Sequence, residues 1–306
     1  MAFNFTGLGV NLQSFVKRVY DNLLYKSSSS FFVNEAYMVE ARQTGAAVID
    51  VTKQVAIATN NRGAGVVDIA TALTPTLATY TTVQVNLTEL PLDYSVRISP
   101  IMTTSNIKKL IEGQWELQES DIATKVDVYN YTKLVAAITG KTDGTQALTL
   151  GTTFQWSPAT QQAYIDNITD LTAILFDNKL YEDYRCGLVA TEYAKLTAAL
   201  TSILKYETKV GVMGVDLGQV AEAYGVSFKQ INSKVMLLAD GTGRTKGFFA
   251  NPVGFVGDFY FSTFNEWLGN YPGFPGYYVM EGNLTYGAQV IRPEAIIRLT
   301  SVAISA

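Results

Sequence analysis

The sequence predicts an α+β protein in which an extended, strand-rich N-terminal third runs into one long helix and then into a mixed domain. Three observations carry this. Residues 46–100 are rich in Thr, Val and Ala and poor in helix signals. From Ser105 to Gly140 apolar residues recur near helical spacing with no proline between them. Beyond about residue 143, short apolar strands alternate with capped amphipathic segments.

In chain order, residues 1–45 read as an arm rather than the start of a compact domain. Asn11 caps a short helix with Leu12, Val16, Val19 and Leu23 on one stripe. Ser27-Ser28-Ser29-Ser30 follows as a flexible tract, and Phe31, Phe32 and Val33 then require burial, for which a neighbouring subunit is a natural candidate. In the next region Asn60-Asn61-Arg62-Gly63 and Thr74-Pro75 mark turns. Val83, Val85 and Leu87, then Tyr94, Val96 and Ile98, alternate with polar residues, which predicts a pair of strands joined through Leu90-Pro91-Leu92-Asp93. This excursion buries little by itself and suits a projecting loop.

Ile107, Leu110, Ile111, Trp115, Ile122, Tyr129, Val135 and Ile138 then mark a helix, with Ser105 as cap and Gly140 as stop. If continuous it spans roughly 50 Å at 1.5 Å per residue; a break near Ser120-Asp121 is the alternative. Ser157-Pro158 introduces a helix with Tyr164, Ile168, Leu171 and Leu175 on one face. Gly187 to Ala190 is a short strand, and Thr191 caps a helix with Tyr193, Leu196, Leu200 and Leu204. Gly211, Gly214, Gly218 and Gly225 punctuate turns, Val235–Leu238 reads as a strand, and Trp267 to Tyr278 as an aromatic Gly/Pro loop. The end reads as a hairpin, Tyr286 to Ile291 and Ala295 to Val302 about Arg292-Pro293-Glu294. No fixed-period repeat occurs.

Composition narrows function. At 306 residues, 48% hydrophobic, the chain supports one large domain or two of ordinary size. No run reaches the roughly 18 apolar residues of a membrane span. Met1 to Lys17 lacks the basic and apolar blocks of a signal peptide, so a soluble chain made in a cytoplasm is expected. The net charge of −4 argues against a dedicated nucleic-acid-binding module, though not against weak contact with nucleic acid. Triplets such as Asn86-Leu87-Thr88 and Asn283-Leu284-Thr285 are then chance in a Thr-rich chain. The absence of histidine removes the commonest general base, Ser-His-Asp triads and most zinc sites. The single cysteine, Cys186, excludes an internal disulfide and reads as a core thiol at the start of a strand.

The segment Tyr184-Arg185-Cys186-Gly187-Leu188-Val189-Ala190-Thr191-Glu192-Tyr193-Ala194-Lys195-Leu196 is a strand-then-helix step with spaced Tyr and Leu, and Tyr286 to Ile296 closes the chain. With the order arm, β-loop, long helix, mixed domain, these segments resemble the major capsid proteins of tailed bacteriophages, the family of the Hong Kong 97 phage fold. The likeness spans nearly the whole chain; each motif is degenerate and its force lies in order and combination. It implies the major-capsid fold: an N-terminal arm at 1–45, an extended β-loop at 46–100, a peripheral domain with a long spine helix at 101–142, an axial domain at 143–280, and a closing hairpin at 281–306 that returns to the peripheral domain.

It also implies a function. The chain would self-assemble, as hexamers and pentamers, into an icosahedral head shell around double-stranded DNA, in the virion after assembly in the bacterial host cytoplasm. Portal, scaffold or decoration proteins would be partners, with weak non-specific contact to packaged DNA, and no membrane. Many relatives begin with a cleaved scaffolding region, whereas here the arm starts almost at Met1, so scaffolding would be a separate protein or unnecessary. Apolar residues in arms and loops, wasteful in a monomer, then become interface.

No catalytic, cofactor-binding or metal-binding residues are expected. Gly241-Thr242-Gly243-Arg244-Thr245-Lys246-Gly247 is neither a P-loop nor a dinucleotide fingerprint and reads as a polar turn between strands, with basic residues facing a pore or a neighbour as the alternative. Glu112, Glu116 and Glu119 read as a solvated helix face, with Lys108 paired to Glu112, before they read as acid–base or metal groups. The aromatic run Phe248, Phe249, Phe255, Phe259, Tyr260, Phe261, Phe264 and Trp267 fits a sheet face on the axial core better than a sugar or base platform. Some relatives form a Lys–Asn bond between subunits; Lys53 lies in the loop region, nothing marks its partner, and no crosslink is expected. The competing readings are an encapsulin-like shell around a cargo enzyme, a β-rich tail or binding protein, and an enzyme.

Overall fold

The computed structural model describes residues 27–34, 47–54, 80–98, 104–140, 150–204, 215–216, 219–220 and 222–301. The helix expected at Asn11–Leu23, the turns expected at Asn60 to Pro75, and Gly211, Gly214 and Gly218 lie outside these residues.

A short 3-10 turn at Ser29–Phe32 comes first, followed by β1 (Val48–Gln54) and β2 (Tyr80–Asn86), which form an antiparallel ribbon with Val51 opposite Val83. Strand β3 (Leu90–Ile98) does not pair with β2, contrary to the expected strand pair. It becomes the edge of a three-stranded sheet with β11 (Phe255–Tyr271) and β12 (Phe274–Val290), in the order β11-β12-β3. Between β2 and β3 the chain is turned by Asn86, whose side-chain oxygen accepts from the Thr88 amide at 3.0 Å and hydroxyl at 2.7 Å. Pro91 is tolerated in β3 because an edge strand has one unpaired side.

Helix α1 (Thr104–Ala137) is continuous over 34 residues, without the alternative break at Ser120-Asp121. Asp121 instead pairs with Lys125 at 2.8 Å one turn on. Ile122, Ala123, Val126, Tyr131 and Leu134 form its buried stripe, which Ile138 continues just past its end.

Strands β4 (Thr152–Gln155), β5 (Tyr184–Val189), β8 (Glu222–Ala223), β9 (Val226–Ile231), β10 (Thr245–Ala250) and β13 (Ile296–Thr300) build a six-stranded mixed sheet in the order β4-β13-β10-β5-β9-β8, while β6 (Val215–Asp216) and β7 (Gln219–Val220) pair with each other. Helices α2 (Gln161–Asp177) and α3 (Ala190–Leu204) cover one face, where Cys186, Leu188, Phe249, Ile297 and Leu299 meet Ile168, Leu171, Leu196 and Leu200. Val189, Phe248, Ala250 and Ile296 line the other face, against α1 and α4 (Ser233–Asp240). Consecutive strand residues point to opposite faces, and both faces are covered, so the strand sequences read as unbroken apolar runs such as Phe248-Phe249-Ala250.

Several local expectations are corrected. Val235–Leu238 is part of helix α4 rather than a strand. Asn232 caps it by accepting from the Lys234 amide, and Gly241 ends it at φ 68 by donating to the Leu237 carbonyl. Caps at both ends outweigh a four-residue apolar run. Helix α2 starts at Gln161 with Thr160 as its cap, three residues after Ser157-Pro158, and α3 starts at Ala190, ahead of Thr191. The Trp267–Tyr278 segment is the tip of the β11–β12 hairpin, turned at Pro272-Gly273, where Gly273 has φ +84. The C-terminal segments do not form a hairpin: β12 stays in the three-stranded sheet and β13 joins the six-stranded one, through a 3-10 turn at Pro293–Ala295. Alternating hydrophobicity marks both strands but carries no information on their partners.

Candidate functional site: the arm clip and the ribbon root on the long helix

Residues 27–34 are clipped onto α1 by a buried carboxylate. Asp127, 5% exposed, accepts from the Ser27 hydroxyl at 2.5 Å, the Ser28 amide and hydroxyl at 2.9 Å, and the Ser29 amide at 2.9 Å. A buried carboxylate is tolerated when donors surround it, and a tight turn of serines supplies both amides and hydroxyls. The serine tract expected to be flexible is therefore ordered within its own subunit. One turn along the helix, Asn130 donates to the Ser29 hydroxyl at 2.8 Å and to the Tyr286 hydroxyl at 2.9 Å, tying in β12.

The clip's carbonyls meet cations. Lys229 donates to the Ser27 carbonyl at 3.0 Å and Arg185 to the Phe31 carbonyl at 2.7 Å, and both lie near the Phe31 ring. Phe32 and Val33, each 1% exposed, enter the subunit's own core, so within 27–34 it is this chain that buries them. The Phe32 ring fills the space over Gly187, where a Cβ would meet it at 2.6 Å. The Asn34 amide then bonds to the Phe255 carbonyl at 2.9 Å. Eight residues thus join α1, the six-stranded sheet and the long hairpin. Beside them a cleft of about 640 Å³ opens between α1, the end of β9 and the start of α4, with Ser28, Asp127, Thr124 and Lys234 in its walls.

Burial pushes the Tyr131 and Tyr286 phenols upward, and it lowers the Lys229 ammonium against the opposing pull of Asp127. Both phenols are therefore neutral hydrogen-bonding groups here. Burial likewise raises the fully buried Cys186 thiol, which fits the inert core thiol read from the sequence.

Toward the other side of α1 lies the root of the β1–β2 ribbon. Glu89, in the turn after β2, is bound by Lys133 at 2.6 Å and by the Tyr129 hydroxyl. Those two hydrogen bonds hold its carboxyl below the usual carboxylate range. Ile49, Val51, Val85 and Leu87 pack on Val256 and Ile291. At Gly287 the backbones touch so closely that a Cβ would lie 1.8 Å from the Asn86 carbonyl oxygen. Only glycine admits this approach.

The groups singled out in the sequence do not converge. The Gly241–Gly247 loop joins α4 to β10, a helix to a strand, and is not a turn between strands. Asp240 accepts from the Thr242 hydroxyl at 2.6 Å and from the Arg244 and Thr245 amides at 2.9 and 3.1 Å, and pairs with Arg298 at 2.6 Å. A loop whose amides already serve its own carboxylate is no phosphate cradle. Glu116 is exposed, as expected of a solvated face, but Glu119 is 1% exposed and is not on one; the side chains of Lys108 and Glu112 lie outside the described ones. The aromatic run is split between two cores: Phe248, Phe255 and Phe259 pack with α1, whereas Phe249 packs with α2 and α3. That separates it from a single axial sheet face. Among the described residues no group of three or more His, Cys, Asp or Glu is placed to hold a metal ion.

The Asp127 seam was not singled out in the sequence. Its one local signal is that Asp127 and Asn130, with Glu119 two turns earlier, are polar residues on a stripe that is mostly apolar.

No family model matches the sequence, and no curated protein does. Solved structures match it over most of its length. A chain of Mycobacterium phage Che8 aligns with a TM-score of 0.58 at 13% identity, covering 90% of this chain and 91% of that one. The capsid of cyanophage P-SCSP1u gives 0.56 at 13% identity, covering 85% and 84%. The mature capsid of bacteriophage PhiM1 gives 0.53 at 11%, covering 85% and 83%. This chain has a phage-capsid fold. In this chain α1 is the element against which both the clip at 27–34 and the ribbon root are set.

Proposed function

We propose that this chain is a major capsid protein, which self-assembles into the icosahedral head shell of a tailed bacteriophage around double-stranded DNA. The observation that carries the reading is the phage-capsid fold over 90% of the chain. Its role is architectural, without catalysis and without a cofactor. The arm is 1–45, the extended β-loop 46–100, the peripheral domain 101–142 with α1 as its spine, the axial domain 143–280, and 281–306 the return. The ordered clip and the close-packed ribbon root support this division: each ties a segment outside the six-stranded sheet to α1 or to the long hairpin. A shell needs such segments, because many modest contacts set at defined angles hold it together.

In the virion the partners are further copies in hexamers and pentamers, with portal, scaffold or decoration proteins and weak contact to packaged DNA; assembly takes place in the host cytoplasm. Expression of the full chain followed by electron microscopy tests the reading. Closed shells are expected, and monodisperse monomers would overturn it. Particles from the native source should hold DNA; a packaged enzyme instead would assign the chain to an encapsulin-like shell.

A further inference from the structure

Two exposed apolar pairs on this subunit carry opposite charge. The first is on α4, where Leu237 and Leu238 are 53% and 69% exposed. Exposed Lys234 lies one turn before Leu238 on the same helix face. The loop after α4 folds back on the pair, so that a Cβ at Gly243 would lie 3.4 Å from the Leu237 side chain, and leads to exposed Arg244. The acid of this region, Asp240, is consumed internally by Arg298.

The second pair lies between α2 and β5. Phe176 and Tyr181, 56% and 57% exposed, stack edge to face at 4.9 Å. Exposed Asp177 and Glu182 flank them. Asp183 is engaged by Arg185, and Lys179 is the one basic residue between Phe176 and Asp183. Two large aromatic rings set edge to face in water, with an exposed acid on either side, form an anchor of the kind that interfaces use.

The two patches cannot meet within one subunit. The first leads directly into β10 and the second into β5, and these strands run antiparallel with Gly247 opposite Leu188 and Ala250 opposite Arg185. Their starting ends lie at opposite ends of the sheet, roughly 20 Å apart for strands of this length. Helices α4 and α2 also pack on opposite faces of it.

We infer that the patches meet between copies: Leu237 and Leu238 of one subunit dock on Phe176 and Tyr181 of the next, with Lys234 and Arg244 facing Asp177 and Glu182. Each subunit offers both halves, so the contact is head-to-tail and propagates around a ring. The inference rests on the shell reading only for its recurrence in a closed particle.

Charge reversal in the full chain tests it. Lys234→Glu with Arg244→Glu makes one variant, and Asp177→Lys with Glu182→Lys the other. Each alone should raise the concentration needed for assembly about tenfold or more, as like charges face each other. An equimolar mixture should lower that concentration again, because around a ring of six the two variants alternate and each altered patch meets its opposite, while a ring of five keeps one like-charged contact. Undisturbed assembly of either variant, or no rescue in the mixture, overturns the contact. Should a reversed chain fail to fold, Leu238→Cys with Tyr181→Cys replaces it, since Cys186 is buried and does not compete. Oxidation should give a ladder of disulfide-linked multimers, and a monomer band alone overturns the contact. Closed shells without rescue or ladder would end the contact and leave the shell reading; a ladder without shells would do the reverse.

Discussion

Asp127 accepts from both the amide and the hydroxyl of Ser28, each at 2.9 Å, across 99 positions of sequence. Removing the carboxylate strands the donors of the clip in a buried site. Asp127→Ala should cost at least about 1–3 kcal/mol, the scale for leaving a buried donor unsatisfied, since several donors lose their acceptor at once. The Ser27–Asn34 segment should become cleavable by protease before the rest of the fold unfolds. Urea denaturation and limited proteolysis measure the two effects, and an unchanged midpoint with a resistant clip would refute the anchor.

Gly287 and Asn86 give a second test. Gly287→Ala places a methyl group where the Asn86 carbonyl stands, so the ribbon root must move. Overpacking of this kind typically costs about 1–3 kcal/mol. Amide exchange should rise along the Val48–Gln54 and Tyr80–Asn86 ladder, while Cys186 to Val189 stays protected. Equal loss everywhere would mean the ribbon is no separate unit.

Asp240 predicts an acid dependence. Burial alone would raise its carboxyl, but the Thr242 hydroxyl, the Thr245 amide and Arg298 outweigh burial and hold it below the usual range. A carboxyl lowered on folding contributes stability above its unfolded pKa, about 3.9, and loses it as pH falls through the folded value. Thermal melts of the parent should fall below about pH 4, and Asp240→Asn should flatten that fall while lowering the melting temperature at pH 7. A parallel decline in both proteins would reject the assignment.

No covalent bond between subunits is expected. Lys53 stands opposite Thr81 in the β1–β2 ribbon. Assembled particles, boiled and run on a denaturing gel, should give one band near 33.4 kDa. A ladder of multimers would contradict this.

Periodic signals in this chain were legible because they are local. The long helix, the faces of α2 and α3, the buried Cys186 and the alternation in β2 and β3 all follow from residue spacing. Pairing was not: β2 and β3 read as partners, as did β12 and β13, yet each pair is divided between sheets. Alternation says which face is apolar, and it is the same whichever strand lies alongside. Helix α4 was missed for a different reason. Its apolar run Val235 to Leu238 is too short to show a period, and the decision lay in Asn232 and Gly241 at its ends.

The amino-acid sequence by itself determined the α+β class, the order of strand-rich segment, long helix and mixed domain, and the absence of histidine. Tertiary structure alone decided that four serines form an ordered turn. A polar tract has no intrinsic reason to order, since its donors are as well served by water. Asp127, buried on α1, supplies what water cannot: one fixed acceptor whose own burial is tolerable only when those donors surround it.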